Sequence, residues 1–145
     1  MKIAVLADTH GKLPLAVAEA VCAADEIWHL GDFPDSSLLA ALRQLGPPVV
    51  GVLGNCDSDI DLPEELYLER GGHSFRLIHI PPAHIGGADF LLHGHTHVPR
   101  DEKVGATRVL NPGTIGKPNH GAPPSYAWLE IDETTGHVEW RLVRI

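Results

Sequence analysis

Potential metal ligands follow three successive apolar segments of this sequence. They are Asp8 with His10, then Asp32, then Asn55. Asp8 and His10 lie two positions apart, so in an extended segment their side chains point to the same side and can reach one ion. Oxygen and imidazole ligands together suit Mn(II), Fe(II) or Zn(II) better than Ca(II) or Mg(II). Turn formation at strand ends explains any one of these residues alone, but not the set.

Histidine is unusually frequent, and it is the commonest metal ligand in proteins. His95 and His97 repeat the spacing of two, and His79 ends an apolar segment upstream of them. An exposed, pH-sensitive pair is the alternative interpretation of His95 and His97. Together with the carboxylates, they instead favour a metal site with ligands from both halves of the chain.

The elements that position these ligands alternate in the first half of the chain. The pattern predicts strands at 2–7, 26–30 and 48–53, a helix over 13–24, and a second helix capped by Ser36 or Ser37 and continuing through Leu45. The carboxyl ends of parallel strands border a common crevice, so the three sets of ligands should converge there.

The second half reads as strands joined by short turns. Strands are predicted at 66–70, 74–80, 89–93, 103–110, 126–131 and 137–144, with a Gly- and Pro-rich loop over 113–124. No linker separates the halves. The predicted fold class is therefore α/β, with two packed β-sheets flanked by helices in a single domain spanning 1–145.

Composition narrows the possible functions. The chain has 145 residues, of which 43% are hydrophobic, and no apolar run is long enough to span a membrane. The net charge is −8, which disfavours an extended nucleic-acid partner. The N-terminal apolar run is too short for a signal peptide, and two cysteines form no disulfide framework. We therefore expect a cytoplasmic protein without a membrane partner; its oligomeric state is left open.

Five short motifs occur in a characteristic order. They are Asp8-Thr9-His10-Gly11, Gly31-Asp32, Gly54-Asn55-Cys56-Asp57, Gly94-His95-Thr96-His97 and Asn111-Pro112-Gly113-Thr114. In this respect the sequence resembles the calcineurin-like metallophosphoesterases, especially their small bacterial and archaeal phosphodiesterase branch. That branch shares its fold with a scaffolding subunit of the eukaryotic retromer. The resemblance implies an αββα sandwich.

The resemblance also implies a dinuclear metal centre. A first ion would be held by Asp8, His10 and His97, a second by Asn55, His79 and His95, and Asp32 would bridge the two. The implied cofactors are two divalent ions, with Mn(II) preferred and Fe, Zn or Ni as alternatives. The implied reaction is hydrolysis of a small phosphate ester, foremost a phosphodiester, by a metal-bridging hydroxide.

Some roles stay open. His84 is the alternative to His79, because the segment from His79 to His95 looks shortened, as though a helix were missing. Two interpretations of Cys56 remain: a proton donor for the leaving group, or a small side chain without a chemical role. Asp57 either orients a metal ligand or caps the turn that follows it. His120 is a candidate substrate contact. A non-catalytic scaffold of the same fold and a nuclease are the alternative functions.

Overall fold

A computed structural model of the chain describes residues 1–116 and 121–145. The elements of the first half are β1 (Lys2–Leu6), α1 (Leu15–Val21), β2 (Glu26–His29), α2 (Ser36–Arg43) and β3 (Val49–Gly51). This is the predicted alternation, with shorter helices. His120 and the middle of the predicted loop at 113–124 lie outside the described residues.

The cap of α2 differs from the prediction. Asp35, rather than Ser36 or Ser37, is the N-cap residue, and its Oδ1 accepts a hydrogen bond from the Ser37 backbone N–H at 2.9 Å. A carboxylate at this position satisfies a backbone donor that the first helical turn leaves unpaired. Neither α1 nor α2 is long and apolar enough to span a bilayer.

The second half consists of strands. They are β4 (Glu65–Arg70), β5 (His73–Ile78), β6 (Phe90–Leu92), β7 (Arg100–Val104), β8 (Thr107–Asn111), β9 (Ser125–Ile131) and β10 (Val138–Arg144). The predicted single strand at 103–110 is wrong, because a hairpin joins β7 and β8 there. Gly105 turns the chain at a φ of +61°, a left-handed conformation that glycine adopts without steric cost.

The strands form two five-stranded mixed sheets. The first has the order β10-β9-β1-β2-β3, in which β1, β2 and β3 run parallel. The second has the order β4-β5-β6-β8-β7, in which β5, β6 and β8 run parallel. Loops that follow parallel neighbours emerge at the same edge of each sheet, which is where the candidate ligands lie.

The two sheets share one hydrophobic core. Val5 and Trp28 of the first sheet are fully buried in the same cluster as Phe75 and Leu92 of the second. The rings of Trp28 and Phe75 pack edge to face with centroids 5.2 Å apart. The predicted pair of packed sheets is therefore confirmed.

Both helices flank the first sheet. Val17 of α1 and Leu39 of α2 are buried in a second cluster with Leu6 and Ile27, on the face of that sheet directed away from the core between the sheets. The burial of these side chains fixes the helices against β1 and β2, and therefore fixes the loops that precede each helix.

The outer face of the second sheet is crossed by a segment without helix. Residues 79–89 connect the parallel neighbours β5 and β6, and a connection of this kind must cross one face of the sheet. The inner face is occupied by the first sheet, so the segment lies outside. Arg76 Nη1 donates to the His84 carbonyl at 3.3 Å, and Thr107 Oγ1 donates to the Ala88 carbonyl at 2.8 Å.

Candidate metal centre

The candidate ligands follow five strands that end in one region of the sandwich. They are Asp8 and His10 after β1, Asp32 after β2, Asn55 after β3, His79 after β5, and His95 and His97 after β6. The loops after β1 and β2 are joined through their backbones. The Asp8 N–H donates to the Gly31 carbonyl at 3.0 Å, and the His10 N–H donates to the Asp32 carbonyl at 3.1 Å.

Most of these residues have an unusual backbone conformation. Among the described residues, six that are not glycine have a positive φ, and five of them are candidate ligands. These five are Asp8 at 52°, His10 at 48°, Asp32 at 63°, His95 at 69° and His97 at 62°. Each such residue costs about 1–3 kcal/mol, and this strain persists only where the surrounding structure enforces it. Strained positions concentrate at functional sites, so the backbone marks the same residues as the motifs do.

The first group of donor atoms contains one oxygen and two nitrogens. His97 Nε2 lies 3.2 Å from Asp8 Oδ1, and His10 Nε2 lies 3.9 Å from the same oxygen. The two Nε2 atoms are 3.3 Å apart. Three donors at these separations surround a point that a single divalent ion can occupy.

The second group is built around Asn55. Its Oδ1 lies 2.9 Å from His79 Nε2 and 3.1 Å from His95 Nδ1. The other ring nitrogen of His79, Nδ1, donates to the Leu30 carbonyl at 2.7 Å. Such a bond fixes the ring orientation of a metal-binding histidine and leaves Nε2 directed at the ion.

Asp32 lies between the two groups. Its Oδ2 is 3.8 Å from His10 Nε2 and 3.4 Å from His79 Nε2, while its Oδ1 accepts the Cys56 backbone N–H at 2.9 Å. Burial acts to raise the pKa of Asp32, but hydrogen bonds from His79 and from the Cys56 backbone outweigh it. The pKa therefore lies well below its usual value, and the carboxylate is ionised at neutral pH.

Asp8 provides the test of whether a cation fits. Its side chain is fully buried, and its Oδ2 accepts the His95 backbone N–H at 3.0 Å. Its Oδ1 is a buried atom that accepts no hydrogen bond from the described residues. Burial raises the pKa of Asp8 to about 6, against the lowering effect of His79 and His97. An orphaned carboxylate oxygen facing imidazole nitrogens is the arrangement that a divalent ion satisfies.

The two carboxylates also affect His79. Burial acts to lower its pKa, but the hydrogen bond to Asp32 and the charge of Asp8 prevail, and the pKa is raised. The carboxylates therefore favour a positive charge at this position. The residues present fit divalent ions.

The structure brings His79, and not His84, into the cluster. His84 is exposed in the segment that crosses the second sheet, and among the described residues its ring makes no contact with Asp8, Asp32 or Asn55. The candidate ligand in this part of the chain therefore stays at the carboxyl end of β5, despite the shortened segment.

Cys56 and Asp57 have different surroundings. The Cys56 thiol is exposed, and its sulfur lies within 4.8 Å of ligand atoms of His10 and Asp32. The carboxylate of Asp57 accepts three backbone N–H groups, from Asp32 at 2.9 Å, Phe33 at 2.7 Å and Gly54 at 2.7 Å. Asp57 therefore joins the loop after β2 to the loop after β3.

Two positioning residues were not recognised as such from the sequence. Thr9 Oγ1 is buried and lies 3.0 Å from His29 Nε2 and 3.3 Å from the Asp32 carbonyl, beneath the cluster. Gly54 has no room for a side chain, because an added Cβ would overlap the carboxylate of Asp32. Both residues lie inside the quoted motifs, so motif membership was the available signal.

Asn111 and Thr114 turn the chain beside the cluster. Asn111 Nδ2 donates to the Gly94 carbonyl at 3.2 Å and to Thr96 Oγ1 at 3.0 Å, and Thr114 Oγ1 donates to the Asp8 carbonyl at 3.0 Å. These bonds hold the loops that carry Asp8 and the two histidines after β6.

Comparison with known proteins decides the family. The sequence model of the calcineurin-like phosphoesterase superfamily domain matches residues 1–134. The chain belongs to this superfamily. Phosphodiesterase YfcE of Escherichia coli is 29% identical over 91% of the chain and 89% of that protein. A probable metallophosphoesterase of Methanothermobacter thermautotrophicus is 33% identical over 91% of the chain and 87% of that protein.

Solved structures share the fold. Vps29 from Entamoeba histolytica complexed with Zn²⁺ superposes with a TM-score of 0.79 at 22% identity, covering 99% of each chain. The structure of YfcE superposes with a TM-score of 0.75 at 25% identity, covering 100% of each chain. The resemblance inferred from the motifs and the predicted fold class are both confirmed.

Proposed function

We propose that this chain hydrolyses a small phosphodiester with two divalent metal ions. The first ion is assigned to Asp8, His10 and His97, the second to Asn55, His79 and His95, and Asp32 bridges them. The observation that carries the proposal is the position of Asp32 Oδ2, which lies within 3.8 Å of a ring nitrogen from each group.

Relatives support the coarser part of this proposal. Superfamily membership, the phosphodiesterase YfcE and the archaeal metallophosphoesterase support metal-dependent phosphoesterase activity. The donor set limits the identity of the ions. Mixed carboxylate, amide and imidazole donors suit Mn(II), Fe or Zn. The resemblance puts Mn(II) first and adds Ni as an alternative.

When bound, such ions supply Lewis-acid activation of water and of the phosphate ester. The chain itself orients and polarises the site. Each carboxylate is held by a backbone N–H through one oxygen, so the other oxygen is directed at the cluster. The strained loops are fixed before any substrate arrives, and a preorganised site needs little reorganisation during the reaction.

The distribution of charge in the loaded protein supports a small phosphate ester as the substrate. Two divalent ions add four positive charges, whereas Asp8 and Asp32 contribute two negative ones, so the loaded site is locally cationic. The chain as a whole is acidic, with a net charge of −8. A compact anion is attracted to the site, while an extended polyanion is repelled by the surrounding surface. This disfavours the nuclease alternative.

A non-catalytic scaffold is the second candidate. The superposition on Vps29 supports a fold that serves either purpose. A scaffold has no need for strained ligand positions or for an orphaned buried carboxylate oxygen, and this chain has both. The geometry therefore favours the enzyme.

The experiment is an assay of the Mn(II)-loaded protein. Phosphodiesters, phosphomonoesters and cyclic nucleotides are compared at equal concentration, with metal content measured on the same sample. We expect turnover of aryl phosphodiesters that disappears on removal of the metal. A protein that binds two ions per chain and hydrolyses none of the three classes would support the scaffold instead.

A further inference from the structure

A pocket adjoins the candidate metal centre on the side of the second ion. It has a volume of about 350 Å³ and shares Asn55 and His79 with the proposed ligand set. The loop after β3 forms one wall and the end of β5 forms the other. We call it the side pocket, defined by Leu53, Gly54, Asn55, Asp57, Glu64, Ile78, His79 and Ile80.

The walls away from the ligands are apolar. Leu53 and Ile78 are partly buried, and Ile80 is 48% exposed. Ile80 lies near the start of the helix-free crossing segment at 79–89, so no helix covers this side of the site. An apolar cavity beside a few polar groups is the usual form of a small-molecule site, and this volume lies at the lower end of the range.

One acidic group of the side pocket remains uncommitted. The carboxylate of Asp57 is taken up by three backbone N–H groups. Glu64 makes no hydrogen bond or ion pair with any of the residues the structure describes, and none of the residues lining the pocket is a lysine or arginine. A negative charge at the pocket wall opposes a second anionic group on the ligand.

We propose that the side pocket binds one ester substituent of the phosphodiester and selects an uncharged apolar group, such as an aryl or short branched alkyl group. The inference rests on the proposed function, since the phosphate itself is held at the metal centre. A group attached to that phosphorus reaches the side pocket past Asn55 and His79. Apolar contact with Leu53, Ile78 and Ile80 favours it, and Glu64 rejects a carboxylate or a second phosphate.

Binding is measured with two non-labile probes on the Mn(II)-loaded protein. Benzyl(methyl)phosphinate, the phenyl probe, carries one negative charge, as a phosphodiester does, and has no P–O–C bond to hydrolyse. Its para-carboxybenzyl analogue adds a second negative charge on the ring. We expect the phenyl probe to bind a few-fold more tightly in calorimetry, because the added charge would lie near the exposed carboxylate of Glu64. Equal affinities, or no binding of the phenyl probe at millimolar concentration, would overturn the proposal.

Substitutions at two positions, each with a control elsewhere in the chain, locate the selectivity. Glu64→Lys should reverse or abolish the preference, Glu64→Gln should reduce it, and Glu69→Lys, at an exposed glutamate of β4, should leave it unchanged. Ile80→Ala should weaken the phenyl probe several-fold, whereas Leu15→Ala, at a side chain that is 74% exposed on α1, should have no effect. A preference that survives both Glu64 variants would refute the assignment of Glu64.

Turnover of bis(para-nitrophenyl) phosphate separates the two proposals. Selective binding without any turnover leaves the side pocket intact and removes the proposed function. Turnover without selectivity between the probes leaves the proposed function intact and removes the side pocket.

Discussion

Asp57 holds the backbone of Asp32 in place, with its Oδ2 accepting the Asp32 N–H at 2.9 Å and the Gly54 N–H at 2.7 Å. The same carboxylate accepts the Phe33 N–H through Oδ1. A residue without a predicted ligand role therefore fixes the position of the proposed bridging carboxylate. We therefore expect its contribution to be to geometry rather than to chemistry at the substrate.

The first prediction concerns this contact. Asp57→Asn replaces one acceptor oxygen with an amide that faces a backbone donor, and should lower the free energy of unfolding by about 2 kcal/mol. Metal affinity should fall as well, because Asp32 loses its fixed position. Chemical denaturation and metal titration measure the two effects. Asp61→Asn, at an exposed carboxylate of the same loop, is the control; equal losses in both variants would contradict the prediction.

Metal stoichiometry tests the bridging role of Asp32. Asp32→Asn should reduce occupancy of both ions, since the oxygen between the two groups of donors loses its charge. His97→Ala should reduce occupancy of one ion only. Metal content per chain after equilibration with Mn(II) distinguishes these patterns. If each variant lost one ion, Asp32 would belong to a single site.

Asp8 links metal binding to stability and pH. Its pKa is raised from 3.8 to about 6 by burial, so ionising it destabilises the metal-free fold. The folded state binds this proton more tightly than the unfolded state, so the associated stability is present at low pH and is lost as pH rises through about 6. Asp8→Asn should therefore stabilise the metal-free protein by up to about 3 kcal/mol at neutral pH.

Thermal unfolding in chelator measures this effect. The advantage of Asp8→Asn over the wild type should grow as the pH is raised from about 4 to about 7 and stay constant above that. With Mn(II) present the order should reverse, because the wild type gains stability from both ions and the variant loses the contribution of the first. A variant less stable than the metal-free wild type across this range would show that Asp8 is not destabilised by burial.

The choice between His79 and His84 is tested by substitution. His79→Ala should cost binding of the second ion and most of the activity, because its Nε2 lies 2.9 Å from Asn55 Oδ1 and 3.4 Å from Asp32 Oδ2. His84→Ala should be mild. Metal content and kcat/KM of both variants give the ranking, and the opposite ranking would transfer the ligand role to His84.

Cys56 stands where the resemblance implies a proton donor, and a thiol donates a proton less well than an imidazolium. Cys56→Ala should leave hydrolysis of aryl diesters nearly unchanged, because their leaving groups depart without a proton. Cys56→His should increase turnover of alkyl diesters by about 10²-fold, provided that the ring fits beside the ions. The ratio of kcat/KM for alkyl over aryl esters is the measurement. Loss of both activities in Cys56→Ala with intact metal content would make the thiol catalytic.

The sequence by itself determined the kinds of ligand and their approximate location. Asp8, Asp32 and Asn55 each follow an apolar run, and the ends of parallel strands converge whatever the details of packing. Local patterns also placed both helices, because periodicity depends on neighbours along the chain. Local information failed where a turn interrupts an apparent strand, as at Gly105, and where Asp35 displaces the two serines as the cap.

Only the tertiary structure decided between residues of equal chemistry. His79 and His84 are the same side chain five positions apart, and what separates them is contact with Asn55 and Asp32, which are distant in sequence. Asp57 took its role in the same way, since two of its three donors lie 24 and 25 residues earlier in the chain. The side pocket needs the loop after β3 packed beside the end of β5. Contacts of this kind form only when the two sheets have packed against each other. That packing depends on the burial of side chains from the whole chain, so no local sequence pattern predicts it.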